Sequence, residues 1–191
     1  MIYLDKYLKV MFGTKSGASD FEYKLGEVNV AKIWNPKGLD PKKMGGFNFS
    51  TESKILRWLV RGDTIYDVEL PEDAEVVDCP SDSAPHGVLR SNKIIISSPR
   101  KVTDDIAMKL YIKSDLPEKS YYKAMAGCAV RGYMNTALKI FDDKVNKKNV
   151  KLVISEFEDF CKQGTEEKFD ENKHLNAQTR IIYNKLKEFM L

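Results

Sequence analysis

Cysteine is scarce in this sequence, and the few that occur are widely spaced. The 191 residues contain only Cys79, Cys128 and Cys161, and no two of them form a Cys-x-x-Cys pair. A disulfide-stabilised small domain or a structural zinc site needs more cysteines at closer spacing. The scarcity therefore predicts reduced thiols, no metal site and a cytoplasmic protein.

Long hydrophobic runs and a strong excess of charge are also missing. No stretch approaches the roughly 18 apolar residues that a membrane-spanning helix needs, and residues 1–6 lack the basic start of a secretory signal. The 31 lysines and arginines exceed the 28 acids by only three. Dedicated nucleic-acid-binding domains carry a larger basic excess, so this balance argues against that class.

Groups that commonly perform catalysis are few. His86 and His174 are the only histidines, and neither has a potential metal ligand three or four residues further along. The chain has no Gly-x-Ser-x-Gly nucleophile motif, and residues 12–17 (FGTKSG) lack the spacing of a phosphate-binding P-loop. The absence of a complete catalytic set favours a protein that binds without catalysing.

The composition changes near residue 102. Eight of the 11 glycines and six of the seven prolines precede it, whereas the later apolar residues recur at helical spacing. We therefore predict an α+β fold, in which a small mixed or antiparallel twisted sheet in the N-terminal half packs on a C-terminal helical bundle. The predicted domains are 1–102 and 103–191.

Local patterns predict the individual elements. Alternating apolar residues indicate strands at 7–12, 28–34, 64–70, 74–77 and 88–97. Thr51 is a suitable N-cap for a helix that reaches Val60, and the run Ile94-Ile95-Ile96 indicates a strand buried on both faces. Five further helices are predicted after residue 102, starting near Thr103, Asp115, Met134, Asn149 and Leu175.

Acidic and basic residues are segregated within the N-terminal half. Eight acids and no lysine or arginine lie between Asp63 and Asp82. The next basic residues are Arg90, Lys93, Arg100 and Lys101. Either the two segments pair as strands with opposite charges facing each other, or they form a polarised surface that selects a charged partner.

Two tryptophans and two cations are the candidate partner-binding residues. Trp34 precedes Asn35-Pro36 and Trp58 lies on the predicted short helix, so both could line a groove, although core packing is the alternative. Arg90 and Lys93 represent the basic strand. A second basic cluster over 139–151 is interrupted by Asp142 and Asp143 and gives weaker support for nucleic-acid binding.

Residues 45–52 (GGFNFSTE) carry a family resemblance. An aromatic-rich strand ending in Ser-Thr, a short helix and an alternating strand resemble the ADP-ribosyltransferase-like fold, to which Met11-Phe12-Gly13-Thr14 is also similar. The resemblance covers 8–97 and implies an NAD cofactor with a site built from Ser50, Thr51 and Glu69. Phe12 stands where that family has a basic residue, and 90–94 contain no acid where it has its catalytic glutamate.

Three functions follow, in order of preference. The first is a soluble, non-catalytic protein-interaction module of bacterial or phage origin, without a cofactor. The second is an NAD-dependent ADP-ribosyltransferase-like enzyme with an atypical site. The third is a nucleic-acid-binding protein that uses the lysines of 139–151.

Overall fold

The fold was analysed in a computed structural model, which describes residues 6–16, 21–38, 41–162 and 165–191. It confirms the α+β class. Within these ranges, seven strands form one antiparallel sheet in the order β2-β7-β4-β1-β3-β6-β5. The strands are β1 Tyr7–Met11, β2 Val28–Val30, β3 Phe47–Thr51, β4 Thr64–Glu69, β5 Val76–Asp78, β6 Leu89–Ser91 and β7 Lys93–Lys101.

Short helical segments connect the strands, and longer helices follow them. A 3-10 helix over Ile55–Arg61 joins β3 to β4. The α-helices are α1 Pro41–Met44, α2 Asp104–Lys113, α3 Glu118–Val130, α4 Met134–Lys144, α5 Val150–Cys161, α6 Glu171–His174 and α7 Ala177–Met190. No helix in the described ranges is long and apolar enough to cross a membrane.

Helix α3 lies at the centre of the helical half. Nine of its 13 residues are buried, and it packs against α4, α5, α7 and the 3-10 helix. Its small residues Ala124, Ala126, Gly127 and Ala129 allow this close approach; a Cβ on Gly127 would already touch Val60 and Phe160 at 3.4 Å. The same hydrophobic cluster includes Leu8 and Ile65 of the sheet, so the two halves share one core.

A second hydrophobic cluster covers the opposite face of the sheet. Phe47, Phe49, Tyr66 and Ile96 are among its buried members, and Tyr23 packs over them from the segment before β2. Strand alternation explains this division, since successive side chains point to opposite faces. The sheet is therefore apolar on both sides near its middle strands.

The helix-start signals gave mixed results. Thr103 caps α2 as predicted, accepting a hydrogen bond from the backbone N–H of Ile106. Asp115 does not cap α3, which begins at Glu118 after Pro117. The Asp115 carboxylate instead accepts a hydrogen bond from Lys54, because the tertiary fold brings that lysine to the helix start.

The short helix predicted from Thr51 to Val60 is present, but it begins later than predicted, at Ile55, and is a 3-10 helix. Thr51 ends β3, which pairs with β1 on one side and β6 on the other, and only Ile55–Arg61 is helical, as a 3-10 helix. Residues 47–51 belong to the sheet because the side chains of Phe47 and Phe49 pack in the second hydrophobic cluster. Thr51 still reaches Ser53 through its hydroxyl, the kind of local contact that makes it resemble a cap.

Two predicted strands also had wrong bounds. The strand predicted at 28–34 ends at Val30, and the one predicted at 88–97 is two strands, β6 and β7, separated by Asn92. Asn92 breaks the run because its side chain accepts a hydrogen bond from the backbone of Glu75. Ile95 is half-buried, so burial on both faces was wrong there.

Candidate functional site

Strands β1 and β3 separate after a short stretch of pairing. They pair at Tyr7–Thr51 and Leu8–Ser50, although both strands continue to Met11 and Phe47 respectively. A cleft of about 800 Å³ opens there between β1, β3, the 3-10 helix and the segment that enters β6. This volume is typical of small-molecule binding sites.

The charged residues that line this cleft are all basic. Lys9, Lys15, Arg61 and Arg90 line it, and no carboxylate does so among the described residues. We call this site the cationic cleft. Elsewhere in the described part of the chain, basic side chains that lie in the sheet, such as Lys93, Arg100 and Lys101, form ion pairs with aspartates. The cationic cleft therefore gathers four basic side chains on one site.

Lys9 is the most unusual residue of the cationic cleft. Its side chain is only 9% exposed, on the sheet face that also carries Tyr7 and Met11. Its ammonium group spans the gap between the strands, donating a hydrogen bond to the backbone oxygen of Asn48 at 2.5 Å, and lies 5.1 Å from the Tyr23 ring centre. Burial, and secondly the charge of Arg90, lower the pKa of Lys9 to about 7.

Arg90 enters the cationic cleft from β6. It lies opposite Asn48 in the β3–β6 pairing, and its guanidinium donates a hydrogen bond to the Gly45 carbonyl at 2.9 Å. A guanidinium retains its proton under all ordinary conditions. Arg90 therefore supplies a fixed positive charge beside Lys9.

The 3-10 helix contributes a second wall. Ile55, Trp58 and Arg61 line the cationic cleft, because residues three apart lie on the same side of a helix with three residues per turn. The guanidiniums of Arg57 and Arg61 lie 5.2 and 5.1 Å from the Trp58 ring. The Nε of Arg57 is buried without a hydrogen-bond partner, and burial lowers the pKa of Arg57.

A further arginine reaches the mouth of the cationic cleft from the helical half. Arg131, which directly follows α3, places its guanidinium 4.9 Å from the ring of Phe12. Phe12 is 54% exposed and lines the cleft. Four of the sequence's six arginines thus lie at the cleft. Arg61 and Arg90 line it, while Arg57 and Arg131 stack on the aromatic rings of its walls.

The structure brings together two of the four predicted partner-binding residues. Trp58 and Arg90 both line the cationic cleft. Trp34 lies elsewhere, donating a hydrogen bond from its indole N–H to Glu75 at 2.9 Å. Lys93 forms an ion pair with Asp73.

The three residues implied by the ADP-ribosyltransferase resemblance are divided by β1. Ser50 lines the cationic cleft, and its hydroxyl donates a hydrogen bond to the Gly87 carbonyl at 2.7 Å. Thr51 is paired with Tyr7 of β1, and the exposed Glu69 belongs to β4 on the far side of β1. Their assignment as a catalytic set stays a prediction.

The segregated charges of the N-terminal half form ion pairs. Arg100 of β7 contacts Asp67 of β4 with two hydrogen bonds, and Lys101 contacts Asp63. These pairs hold the pKa values of Asp63 and Asp67 below their usual range. Cross-strand pairing, the first of the two interpretations of this charge pattern, is confirmed for these residues.

Several of the other candidate residues already have partners or are buried. In the cluster at 139–151, Lys139 pairs with Asp143, while Lys144 and Lys147 lie over aromatic rings. Burial raises the pKa of Cys161 to about 12 and that of Cys128 further. Within the described ranges, no three His, Cys, Asp or Glu side chains are grouped as metal ligands.

Sequence reasoning missed Lys9 and Arg61. A signal for Lys9 was present, because β1 alternates Leu8 and Val10 with Tyr7, Lys9 and Met11, which places a lysine between apolar residues on one face. The proximity of Arg90 to Lys9 had no sequence signal, since the two residues are 81 positions apart in the chain.

Comparisons with known proteins found no match to this chain. No protein-family model, no curated protein and no solved structure matches it. The resemblance to ADP-ribosyltransferases therefore stays a prediction that rests on 8–97 alone.

Proposed function

We propose that this chain is a binding protein whose cationic cleft holds an anionic small molecule of nucleotide size. The observation that carries the proposal is that every charged residue lining this cleft in the described part of the chain is basic, namely Lys9, Lys15, Arg61 and Arg90. A cleft lined by charges of one sign attracts ligands of the opposite sign and raises their local concentration. A phosphate or carboxylate group would therefore be drawn to this cleft.

The uncharged walls of the cationic cleft suit a ligand with a planar ring. Trp58 and Phe12 offer aromatic faces, and each already carries an arginine stacked against its ring. Aromatic rings and arginines together bind bases by stacking and phosphates by charge. A phosphorylated aromatic compound therefore combines the two chemistries that the cleft offers.

NAD belongs to this ligand class, because it joins two nucleotides through phosphates. The ADP-ribosyltransferase alternative thus becomes a specific case of the proposal, supported by the position of Ser50 on the cleft wall. The separation of Glu69 from Ser50 by strand β1 favours binding over transfer.

A second candidate is the non-catalytic protein-interaction module. It is favoured by Trp58 and Arg90, predicted to bind a partner and found on the same cleft. The partner would insert an acidic segment into the cationic cleft. A cytoplasmic location, and an origin in a bacterium or phage, remain predictions under either candidate.

A thermal-shift and calorimetric titration tests the proposal. We expect ATP or NAD to raise the melting temperature saturably, by about 5–10 °C at one hundred times the dissociation constant, and adenosine to have no such effect. Arg61→Gln should weaken binding about tenfold through loss of a charged contact. Lys109→Gln, which removes an exposed charge from α2, is the matched control.

The same assay separates the two candidates. Saturable binding of a glutamate-rich peptide, with no response to phosphorylated compounds, would replace the small-molecule proposal with the protein-interaction module. An equal loss of binding in Arg61→Gln and Lys109→Gln would overturn the assignment of the site to the cationic cleft.

A further inference from the structure

We infer that a second copy of this chain pairs with strand β2, so that two molecules join their sheets edge to edge around a twofold axis at Asn29. The inference is independent of the cationic cleft, because β7 and β4 separate β2 from the cleft-lining strand β1. The observation that carries it is an open sheet edge whose outward backbone groups and apolar side chains complement those of an identical edge.

The outer edge of β2 presents backbone groups without a strand to pair with. In the described sheet β2 is an end strand and pairs only with β7. The backbone N–H of Ala31, next to β2, donates a hydrogen bond to the carbonyl of Asn92 on the β7 side at 2.8 Å. Antiparallel strands bond through alternate residues, so Asn29 also faces β7, while the N–H and C=O groups of Val28 and Val30 point away from it. No described residue pairs with those outward groups.

The side chains of β2 add an apolar surface to this edge. Val28 and Val30 share one face of the strand and are 49% and 54% exposed. Ile95 of β7, which lies opposite Val28, is half-buried on the same face. Exposed apolar side chains are common singly, but beside an open edge they favour the addition of another strand.

Asn29 holds this edge in a fixed conformation. Its side chain is 3% exposed and accepts a hydrogen bond from the backbone N–H of Lys24 at 2.8 Å. Its amide group donates to the carbonyls of Lys24 and Glu27 at 3.0 and 3.1 Å, which fixes the turn that leads into β2. A partner strand therefore meets an edge that is already ordered, and this lowers the entropic cost of association.

A second copy of β2 matches this edge in both hydrogen bonding and side chains. When the two strands run antiparallel with Asn29 of each copy opposite the other, Val28 of each faces Val30 of the other. Both of these pairs then exchange N–H···O=C hydrogen bonds, so every outward group gains a partner. The valines also cover one another across the strands. Because each copy uses the same surface, the contact closes as a dimer.

The opposite edge of the same sheet suits a partner less well. The N–H of Cys79 donates to the carbonyl of Val88 on the β6 side, so the outward residues of β5 are Val76 and Asp78. The Asp78 carboxylate lies 2.6 Å from a ring nitrogen of His86. Pairing β2 with β5 would set a valine against this polar pair, and charged side chains on an edge strand oppose strand addition.

Sedimentation equilibrium of the natural chain tests the inference. A contact through strands this short belongs to the weak class of interfaces, so we expect a reversible monomer–dimer equilibrium between about 10 µM and 1 mM. Val30→Pro removes an outward N–H and keeps the bonds to β7, and should weaken association at least about tenfold. Val76→Pro is the matched control, because Val76 is an exposed valine with an outward N–H on the other edge, and it should associate as the natural chain does.

A charge exchange tests the register without changing the backbone. Val30→Glu should weaken association, because its carboxylate would lose water against an apolar side chain of the second copy. Adding Val28→Lys places a lysine opposite that glutamate in both pairs, and at low salt should strengthen association about fivefold relative to Val30→Glu alone. Association of the double variant no tighter than that of Val30→Glu would overturn the register, and with it the inference.

The same measurements distinguish other uses of the edge. A chain that stays monomeric over the whole concentration range would overturn the inference and assign the edge to a strand from another protein. Assembly that grows beyond two copies and is lost in Val76→Pro would also overturn it, because joining β2 of one copy to β5 of the next leaves open ends. Equal weakening by Val30→Pro and Val76→Pro would show that β2 is not the contact.

Discussion

The helical half and the sheet half treat their polar groups differently. In the helical half, Asp104 of α2 accepts hydrogen bonds from the first backbone N–H groups of α4, and the Tyr183 hydroxyl donates to Glu158. In the sheet half, β1 and β3 separate, and the resulting cleft is lined by cations without a described carboxylate. The sheet half thus gathers basic side chains at one site, among them the buried Lys9, whose pKa burial lowers.

This difference indicates a division of labour within one shared core. The cluster that contains α3 also contains Leu8 of β1 and Ile55 of the 3-10 helix, residues that line the cationic cleft. The helical half can therefore hold the walls of the cleft in position while the cleft keeps groups that destabilise the fold. Functional sites commonly combine local destabilisation with a rigid surrounding scaffold.

The largest loss of stability is expected for Phe157→Ala on α5, which tests whether the helical half carries the shared core. Phe157 is fully buried and stacks on Tyr183 of α7 at 6.1 Å, so its removal leaves a cavity in the shared core. We expect a loss of about 3–5 kcal/mol in the free energy of unfolding. Urea denaturation followed by circular dichroism measures this loss.

The control for that variant lies on the same helix. Leu152 is 41% exposed, and Leu152→Ala should cost less than about 1 kcal/mol. Similar losses in the free energy of unfolding for the two variants would contradict the view that the Phe157 face of α5 belongs to the shared core.

Lys9→Met tests whether the buried Lys9 makes the stability of the fold depend on pH. The pKa of Lys9 falls from 10.5 to about 7 on folding, so between these values the unfolded chain binds more protons than the folded one. The stability of the natural chain should therefore rise with pH across this window, relative to Lys9→Met, by up to about 1.4 kcal/mol per pH unit. Urea denaturation at pH 7, 8 and 9 measures the difference.

The matched control is Lys109→Met, at an exposed site on α2. This variant removes a lysine from a solvent-exposed position and so measures the effect of the substitution itself on stability. A difference between Lys9→Met and the natural chain that stays constant from pH 7 to 9 would show that Lys9 folds in its ordinary charged form.

The smallest expected effect concerns the ion pair between Asp67 and Arg100. Both side chains are about one-third exposed or more, so solvent screens the pair despite its two hydrogen bonds. A double-mutant cycle with Asp67→Asn and Arg100→Gln should give a coupling of about 0.2–1 kcal/mol at neutral pH. A coupling well above 2 kcal/mol would contradict the view that these strands are held mainly by their apolar faces.

The parts of the fold that sequence predicted are those fixed by local patterns. Thr103 caps α2 and Gly132 separates α3 from α4, because capping and chain reversal depend on neighbouring residues. The opposite charges of β4 and β7 also indicated their pairing, since Asp67 and Arg100 gain most when they face each other.

The errors occurred where distant residues decided between two local possibilities. The helix predicted to start at Thr51 starts only at Ile55, because Thr51 pairs with Tyr7 as the last residue of β3. Asn92 divides one apolar run into two strands because Glu75 bonds to its side chain. In both cases the deciding partner, Tyr7 for Thr51 and Glu75 for Asn92, is distant in the sequence.

Composition and residue spacing were enough to predict the α+β class and the helical nature of residues 103–191, and they contain no recognisable metal or nucleophile motif. The gathering of four basic side chains around one cleft became visible only in the assembled fold. The physical reason is that charges interact through space, so Lys9, Arg61 and Arg90 act together only after β1, β3 and the 3-10 helix have assembled around one cleft.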